Sequence, residues 1–147
     1  MKKLLILFMA AGAMTANAQQ QAAFQKGDRV VFVGNSITDG GHYHSYIWLY
    51  YMTHFPERRI TCVNAGIGGD VAQQIYERFD DDVLSKKPTV LTLTWGMNDS
   101  GYFEWYRADG KDTMQKRIAN SYKYYGKIEE KLKQRSDIRK IFIGGSP

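Results

Sequence analysis

Three short polar stretches carry the residue types that acyl transfer requires. Gly34-Asn35-Ser36-Ile37-Thr38-Asp39 brings a serine, Asn64-Ala65-Gly66-Ile67-Gly68-Gly69-Asp70 brings glycine N–H groups, and Gly96-Met97-Asn98-Asp99 brings a primary amide. A serine hydroxyl can attack a carbonyl carbon, and the oxyanion that forms needs preorganised donors such as a glycine backbone N–H and an asparagine amide. Ser36, Gly69 and Asn98 supply one of each. An alcohol is almost wholly protonated near neutral pH, so a general base is also needed. The 3 histidines of the chain are His42, His44 and His54. His42-Tyr43-His44 follows the serine stretch, where the pair can pack in a loop, meet solvent, touch substrate, act in catalysis or hold a metal, although a metal site would need a third ligand. His54, next to Phe55-Pro56, reads as a helix-end residue.

These stretches need elements to hold them. Arg29-Val30-Val31-Phe32-Val33 reads as a first strand with both faces covered, because it shows little polar alternation. A helix is expected over Tyr46 to His54, closed by Phe55-Pro56, since proline disfavours helical geometry in the residue before it. Arg59 to Val63 reads as a second strand. Asp70 is placed as the N-cap of a helix with Val71, Ile75, Phe79 and Val83 on one face, ending at Lys86-Lys87-Pro88. Thr89 to Trp95 reads as a third strand and Lys140 to Ile143 as a fourth. Between them the spacing of Met114, Ile118, Tyr122, Tyr125, Ile128 and Leu132 predicts a long helix from about Asp112 to Gln134. Strand-length runs alternating with helical stretches imply an α/β fold with a parallel sheet. All three polar stretches then lie at carboxyl ends of strands, the edge where such sheets bind ligands, so they are expected to converge on one pocket.

The chain of 147 residues is 44% hydrophobic and 24% charged, with 14 Gly, 3 Pro and 1 Cys, which excludes disorder, collagen and a disulfide scaffold. Lys2 and Lys3 precede the apolar run Leu4 to Ala11, and Ala16-Asn17-Ala18 supplies small residues for a peptidase, so residues 1–18 read as a signal peptide and the mature chain as beginning at Gln19. The run is too short for a membrane span, and no stable membrane insertion is expected after cleavage. The expected organisation is a lead-in at 19–28 followed by one domain at 29–147, in a periplasmic or extracellular protein. Of the formal net charge of +5, two units come from Lys2 and Lys3. The remainder is too weak to suggest nucleic acid. Cys62 has no intramolecular partner and reads as a buried, inert thiol.

The same three stretches resemble, in order, the first three blocks of the SGNH (GDSL-like) hydrolase family, over roughly Arg29 to Pro147. The resemblance implies a flavodoxin-like three-layer α/β/α sandwich and hydrolysis of esters, often acyl groups on carbohydrates or lipids. It makes Ser36 the nucleophile, with its own backbone N–H, the Gly69 N–H and the Asn98 amide as oxyanion donors. Asn35 stands where the family usually has Asp, which removes a charge and keeps hydrogen-bonding capacity. The family's fourth block, an Asp-x-x-His that supplies the base and its orienting acid, has no counterpart here, so the sequence reads as the front part of a longer domain, almost inactive as it stands.

Tyr102-Phe103-Glu104-Trp105-Tyr106 directly follows the Asn98 stretch, where rings either stack on sugar faces or cap the sheet edge and pack against further chain. Tyr46, Trp48, Tyr50 and Tyr51 are expected to pack, and Asp80-Asp81-Asp82 reads as a solvated run. Gly66 to Gly69 matches neither the phosphate-binding nor the dinucleotide-binding glycine pattern. The expected function is a secreted serine esterase acting on O-acyl, particularly acetyl, groups of carbohydrate, without cofactor or metal. The partner is a small-molecule or polysaccharide ester. The alternative is a carbohydrate-binding module that keeps the fold and lacks the base.

Overall fold

The computed structural model describes residues 24–144, so the signal-peptide reading of 1–18 lies outside the described residues. The chain runs β1 (Arg29–Gly34), α1 (Ser36–Asp39), α2 (His42–His54), β2 (Thr61–Gly66), α3 (Ala72–Glu77), β3 (Val90–Trp95), α4 (Met97–Ser100), α5 (Gly110–Lys133) and β4 (Arg139–Gly144). The four strands form one parallel sheet in the order β2-β1-β3-β4.

Alternation of side chains along β1 sorts the core into two layers. Val31 and Val33 point to one face, where Ile75 of α3, Phe79 and Val83 after it, and Ile128 and Leu132 of α5 pack against them. Val30 and Phe32 point to the other, where Tyr51 of α2 and Phe24 meet them. All four β1 residues are completely buried. Covered faces explain why the strand reads as a continuous apolar run. With helices on both faces this is the three-layer α/β/α arrangement of flavodoxin-like folds. Residues 24–28, the described part of the lead-in, pack with it. The Phe24 ring meets Phe32 edge-on at 6.4 Å, and buried Asp28 bonds the Thr89 hydroxyl at 2.9 Å and pairs with Arg139.

Several elements differ from the sequence reading, each for a physical reason. β2 begins two residues later than expected and extends to Gly66, because its extent is set by pairing with β1, from Arg29↔Thr61 to Gly34↔Gly66. Arg59 instead closes a 3-10 turn in the left-handed region, at φ 48°. α2 starts at His42 on Gly41, which takes φ 80°. Of the aromatic residues assigned to packing on α2, Tyr51 is buried, whereas Tyr46, Trp48 and Tyr50 are about half exposed or more. Tyr46 and Tyr50 line an apolar groove of about 470 Å³ with Phe32, Ile47, Thr92 and Ile141. The helix after β2 is short, since the backbone widens into a π turn over Phe79–Val83, yet Ile75, Phe79 and Val83 keep their shared face. In α5 only the C-terminal half of the apolar stripe reaches the core. Ile128 and Leu132 are buried, while Tyr122 is 75% exposed. No helix of the described residues is long and apolar enough to cross a membrane.

Candidate active site

The chain leaves β1 toward β2 on one side and later returns to β3 on the other, so the carboxyl ends of β1 and β3 flank the point where strand order reverses. In open α/β sheets that crevice is the ligand edge. Ser36 follows β1, Gly69 follows β2 and Asn98 follows β3, which brings the three sequence-derived candidates to one edge of the sheet.

Ser36 is the first residue of α1. Asn35 caps the turn: its side-chain oxygen accepts from Ile37 N–H at 3.2 Å, and its carbonyl accepts from Thr38 and Asp39 N–H at 3.0 and 2.8 Å. Asn35 is buried and Ser36 exposed, so the cap is interior while the serine is open to solvent. The neutral Asn35 therefore performs the local hydrogen bonding needed at its position. Two glycines let α1 lie across the strand ends. A Cβ on Gly34 would sit 3.0 Å from Thr38 Cβ and 3.1 Å from the Thr94 carbonyl oxygen, and one on Gly66 would sit 2.7 Å from the Thr38 carbonyl carbon. Asn64 then pins the turn to β2, its amide donating to the Asp39 carbonyl at 3.0 Å while its side-chain oxygen accepts from Gly66 N–H at 2.8 Å.

Gly69 is exposed and takes φ 86°, a conformation that a side chain would strain. Neither its N–H nor that of Ser36 has a hydrogen-bond partner among the described residues. The Asn98 amide donates one hydrogen to the Asp70 carbonyl at 3.1 Å. A primary amide carries two such hydrogens, so this bond orients the group and leaves a second donor. Asp99 was not singled out by the sequence reading. It is buried, and its two oxygens accept from Ala72 N–H at 2.8 Å and Gly96 N–H at 3.2 Å. Arg117, also missed, donates to the Asn98 carbonyl at 3.3 Å and lies over the Phe103 ring at 4.9 Å, tying the aromatic stretch to the Asn98 turn. A local signal existed for Asp99, an acid three residues after the first residue of a turn; none existed for Arg117.

Asp70 does not cap α3, which starts on Val71. Its carboxylate is buried and pairs with Arg78 Nε at 2.7 Å. Burial pushes this carboxyl up from its ordinary value, the Arg78 hydrogen bond and charge pull it down, and Asp82 adds to the upward push. Arg78 also donates to the Ala65 carbonyl at 2.9 Å and pairs with Asp82, so it anchors the Gly69 loop to the end of β2. The acidic run is thus partnered rather than merely solvated: Asp82 pairs with Arg78 and Lys86, and Asp80 with Lys131.

The histidines sort clearly. His44 is buried, stacked on Phe32 at 5.1 Å, with Nε2 3.1 Å from the Thr38 carbonyl oxygen. His54 stacks on Tyr50 at 4.4 Å at the helix end. His42 is exposed at the start of α2. None is hydrogen-bonded to Ser36, and no cluster of three or more His, Cys, Asp or Glu that could hold a metal is found among the described residues. Tyr102, Phe103, Trp105 and Tyr106 are all more than half exposed. A cavity of about 270 Å³ opens at the tip of β3 among Trp95, Ser100, Ile118, Tyr122 and Tyr125. Trp95 and Tyr125 stack at 4.2 Å.

The fold and the three tied loops define a parallel α/β protein built to present a serine and several N–H donors at one sheet edge. The pattern of the GDSL-like lipase/acylhydrolase family matches residues 32–146, and the chain belongs to that family. An acetylxylan esterase of Geobacillus stearothermophilus is 30% identical over 88 residues, covering 50% of this chain and 40% of the relative. An uncharacterized lipoprotein of Bacillus subtilis is 29% identical over 136 residues, covering 88% of this chain and 50% of its own. Among solved structures, a gut microbial diltiazem-metabolizing enzyme is 49% identical with a TM-score of 0.80, over 84% of this chain and 28% of that one. An acetylxylan esterase of G. stearothermophilus shares the fold, with a TM-score of 0.63 at 22% identity over 84% of this chain and 61% of that one. The chain spans half or less of the length of the curated relatives it matches.

Proposed function

We propose that the protein is an exported serine esterase that removes acyl groups, acetyl in particular, from carbohydrate esters. The observation that carries the reading is the set of donors at the sheet edge, namely N–H groups on Ser36 and Gly69 that are unbonded among the described residues and an Asn98 amide oriented by the Asp70 carbonyl. In the reaction, Ser36 Oγ forms a bond to the ester carbonyl carbon and gives its proton to a base. The carbonyl oxygen becomes an oxyanion held by the three donors, each worth about 10²–10³ in rate when removed from comparable sites. Collapse breaks the bond to the alcohol oxygen, which takes the proton, and water releases the acyl group from Ser36 by the reverse sequence. The family resemblance implies a base from outside residues 24–144, and this agrees with His44 being bonded to the Thr38 carbonyl, His54 to the Tyr50 carbonyl, and none of the three histidines to Ser36.

Carbohydrate specificity is supported by the exposed rings of Tyr102, Phe103, Trp105 and Tyr106 beside Asn98, a composition suited to sugar faces, and by the acetylxylan esterase among the relatives. Export is supported by the Lys2-Lys3 and Leu4 to Ala11 pattern and by the lipoprotein relative. The test is acetate release from acetylated xylo-oligosaccharide by the full-length protein, with fluorophosphonate labelling of Ser36 alongside. Release and labelling, both abolished by Ser36→Ala, are expected. A second reading, carbohydrate binding without turnover, draws on the lack of any described histidine bonded to Ser36. Retention of polysaccharide with no labelling would replace the esterase by that module.

A further inference from the structure

We infer that Asp99 is a positioning residue, a clamp that fixes the distance between the Gly69 and Asn98 oxyanion donors. The inference rests on reading those groups as an oxyanion hole. Asp99 follows Asn98 directly, and it is only 4% exposed. One carboxylate oxygen accepts from Gly96 N–H at 3.2 Å, closing its own turn, and the other accepts from Ala72 N–H at 2.8 Å, three residues beyond Gly69. A single rigid group therefore holds the loop after β2 and the loop after β3. The bond from the Asn98 amide to the Asp70 carbonyl, 3.1 Å long, is a second tie between the same loops.

The chemistry of the side chain explains why an acid serves here. Both oxygens face N–H donors, which a carboxylate satisfies twice and a primary amide only once, since the amide nitrogen would oppose a donor. Among the described residues no basic side chain forms an ion pair with Asp99. Electrostatics argues against the acid: a negative charge near a developing oxyanion opposes it. Keeping a carboxylate at this place is intelligible as geometry and not as charge stabilisation.

Two variants separate the explanations. Asp99→Asn removes the charge with little change of shape, and Ala72→Pro removes the partner N–H at the first position of α3, where proline suits helix geometry and Val71 already has the extended backbone that proline requires before it. A purely electrostatic role predicts that Asp99→Asn is as fast as the parent or faster. The clamp predicts that both variants of the full-length protein lose about 10²-fold in kcat on p-nitrophenyl acetate, the scale of a misplacement of about 1 Å, with KM within about twofold. A structural role alone would lower thermal stability and leave kcat per folded molecule unchanged. Alongside, the ¹⁵N-correlated NMR signals of the Gly69 amide and the Asn98 side-chain amide should move in both variants. Unmoved signals, or an unchanged kcat in folded variants, overturn the clamp. If the parent shows no Ser36-dependent hydrolysis, the esterase reading fails, and the two amide signals still decide whether Asp99 sets the loop spacing.

Discussion

Alanine at Gly66 and alanine at Gly126 should change stability in opposite directions, and the difference can be worked from the space around each. A Cβ on Gly66 would lie 2.7 Å from the Thr38 carbonyl carbon and 2.8 Å from Thr38 Cβ, against about 3.5–4.0 Å for relaxed carbon contacts. The neighbour is the α1 backbone, so it has to move by about 1 Å. That movement strains the Asn64 bond to the Asp39 carbonyl, 3.0 Å long, and the Ile67 N–H bond to the Gly34 carbonyl, 3.1 Å long. Overpacking costs about 1–3 kcal/mol and a lost hydrogen bond about 1 kcal/mol, so Gly66→Ala should cost about 2–4 kcal/mol. Gly126 lies inside α5 with nothing within 4 Å of a built Cβ, and Gly126→Ala should gain about 0.5–1 kcal/mol through reduced backbone entropy. Urea unfolding reads both. With m of about 1–3 kcal/mol/M, Gly66→Ala should unfold about 1–2 M earlier and Gly126→Ala slightly later than the parent. In the full-length protein Gly66→Ala should also label more slowly at Ser36, because α1 carries the proposed nucleophile. A Gly66→Ala protein with the parent's midpoint would show that the turn retreats freely and that its fit over the strand ends holds nothing in place.

The core and two titratable groups give three more predictions. Phe79 is completely buried between the sheet and α5, and Phe79→Ala should cost about 3–5 kcal/mol in thermal or urea unfolding, a loss under 1 kcal/mol contradicting its central place. Burial by itself would raise the Asp28 carboxyl, but hydrogen bonds from Arg139, Gln25 N–H and Thr89, with the Arg139 charge, hold it below its ordinary value of 3.8. The ionised group therefore stabilises the fold above that value, and the contribution is lost as pH falls through the lower folded value. Asp28→Asn should be less stable than the parent at pH 7 and converge with it toward pH 2; a gap independent of pH would refute the assignment. Burial pushes the Cys62 thiol up to about 11, so it should react slowly with Ellman's reagent at pH 8 and quickly once the protein is denatured.

Local pattern was enough for much of this protein. Apolar runs marked all four strands, three- and four-residue spacing marked α5, and residue type at strand ends gave Ser36, Gly69 and Asn98 as candidates that the topology brings to one sheet edge. These features are legible because side-chain periodicity and turn chemistry are properties of neighbouring residues. Tertiary structure decided the rest. Whether Tyr122 or Leu132 on the same helical stripe is buried depends on how far the sheet extends beneath α5. The end of β2 depends on its ladder with β1. Asn64, Arg78, Asp99 and Arg117 acquire their roles from partners 13 to 27 residues away, as in the bonds from Arg78 to Ala65 and from Ala72 to Asp99. His44 has its place in the core set by Phe32 beneath its ring and the Thr38 carbonyl at its nitrogen, contacts the sequence does not show. A sequence declares which groups can donate, accept or be buried, but a hydrogen bond or a packed face requires two groups at a set distance, and folding supplies that distance.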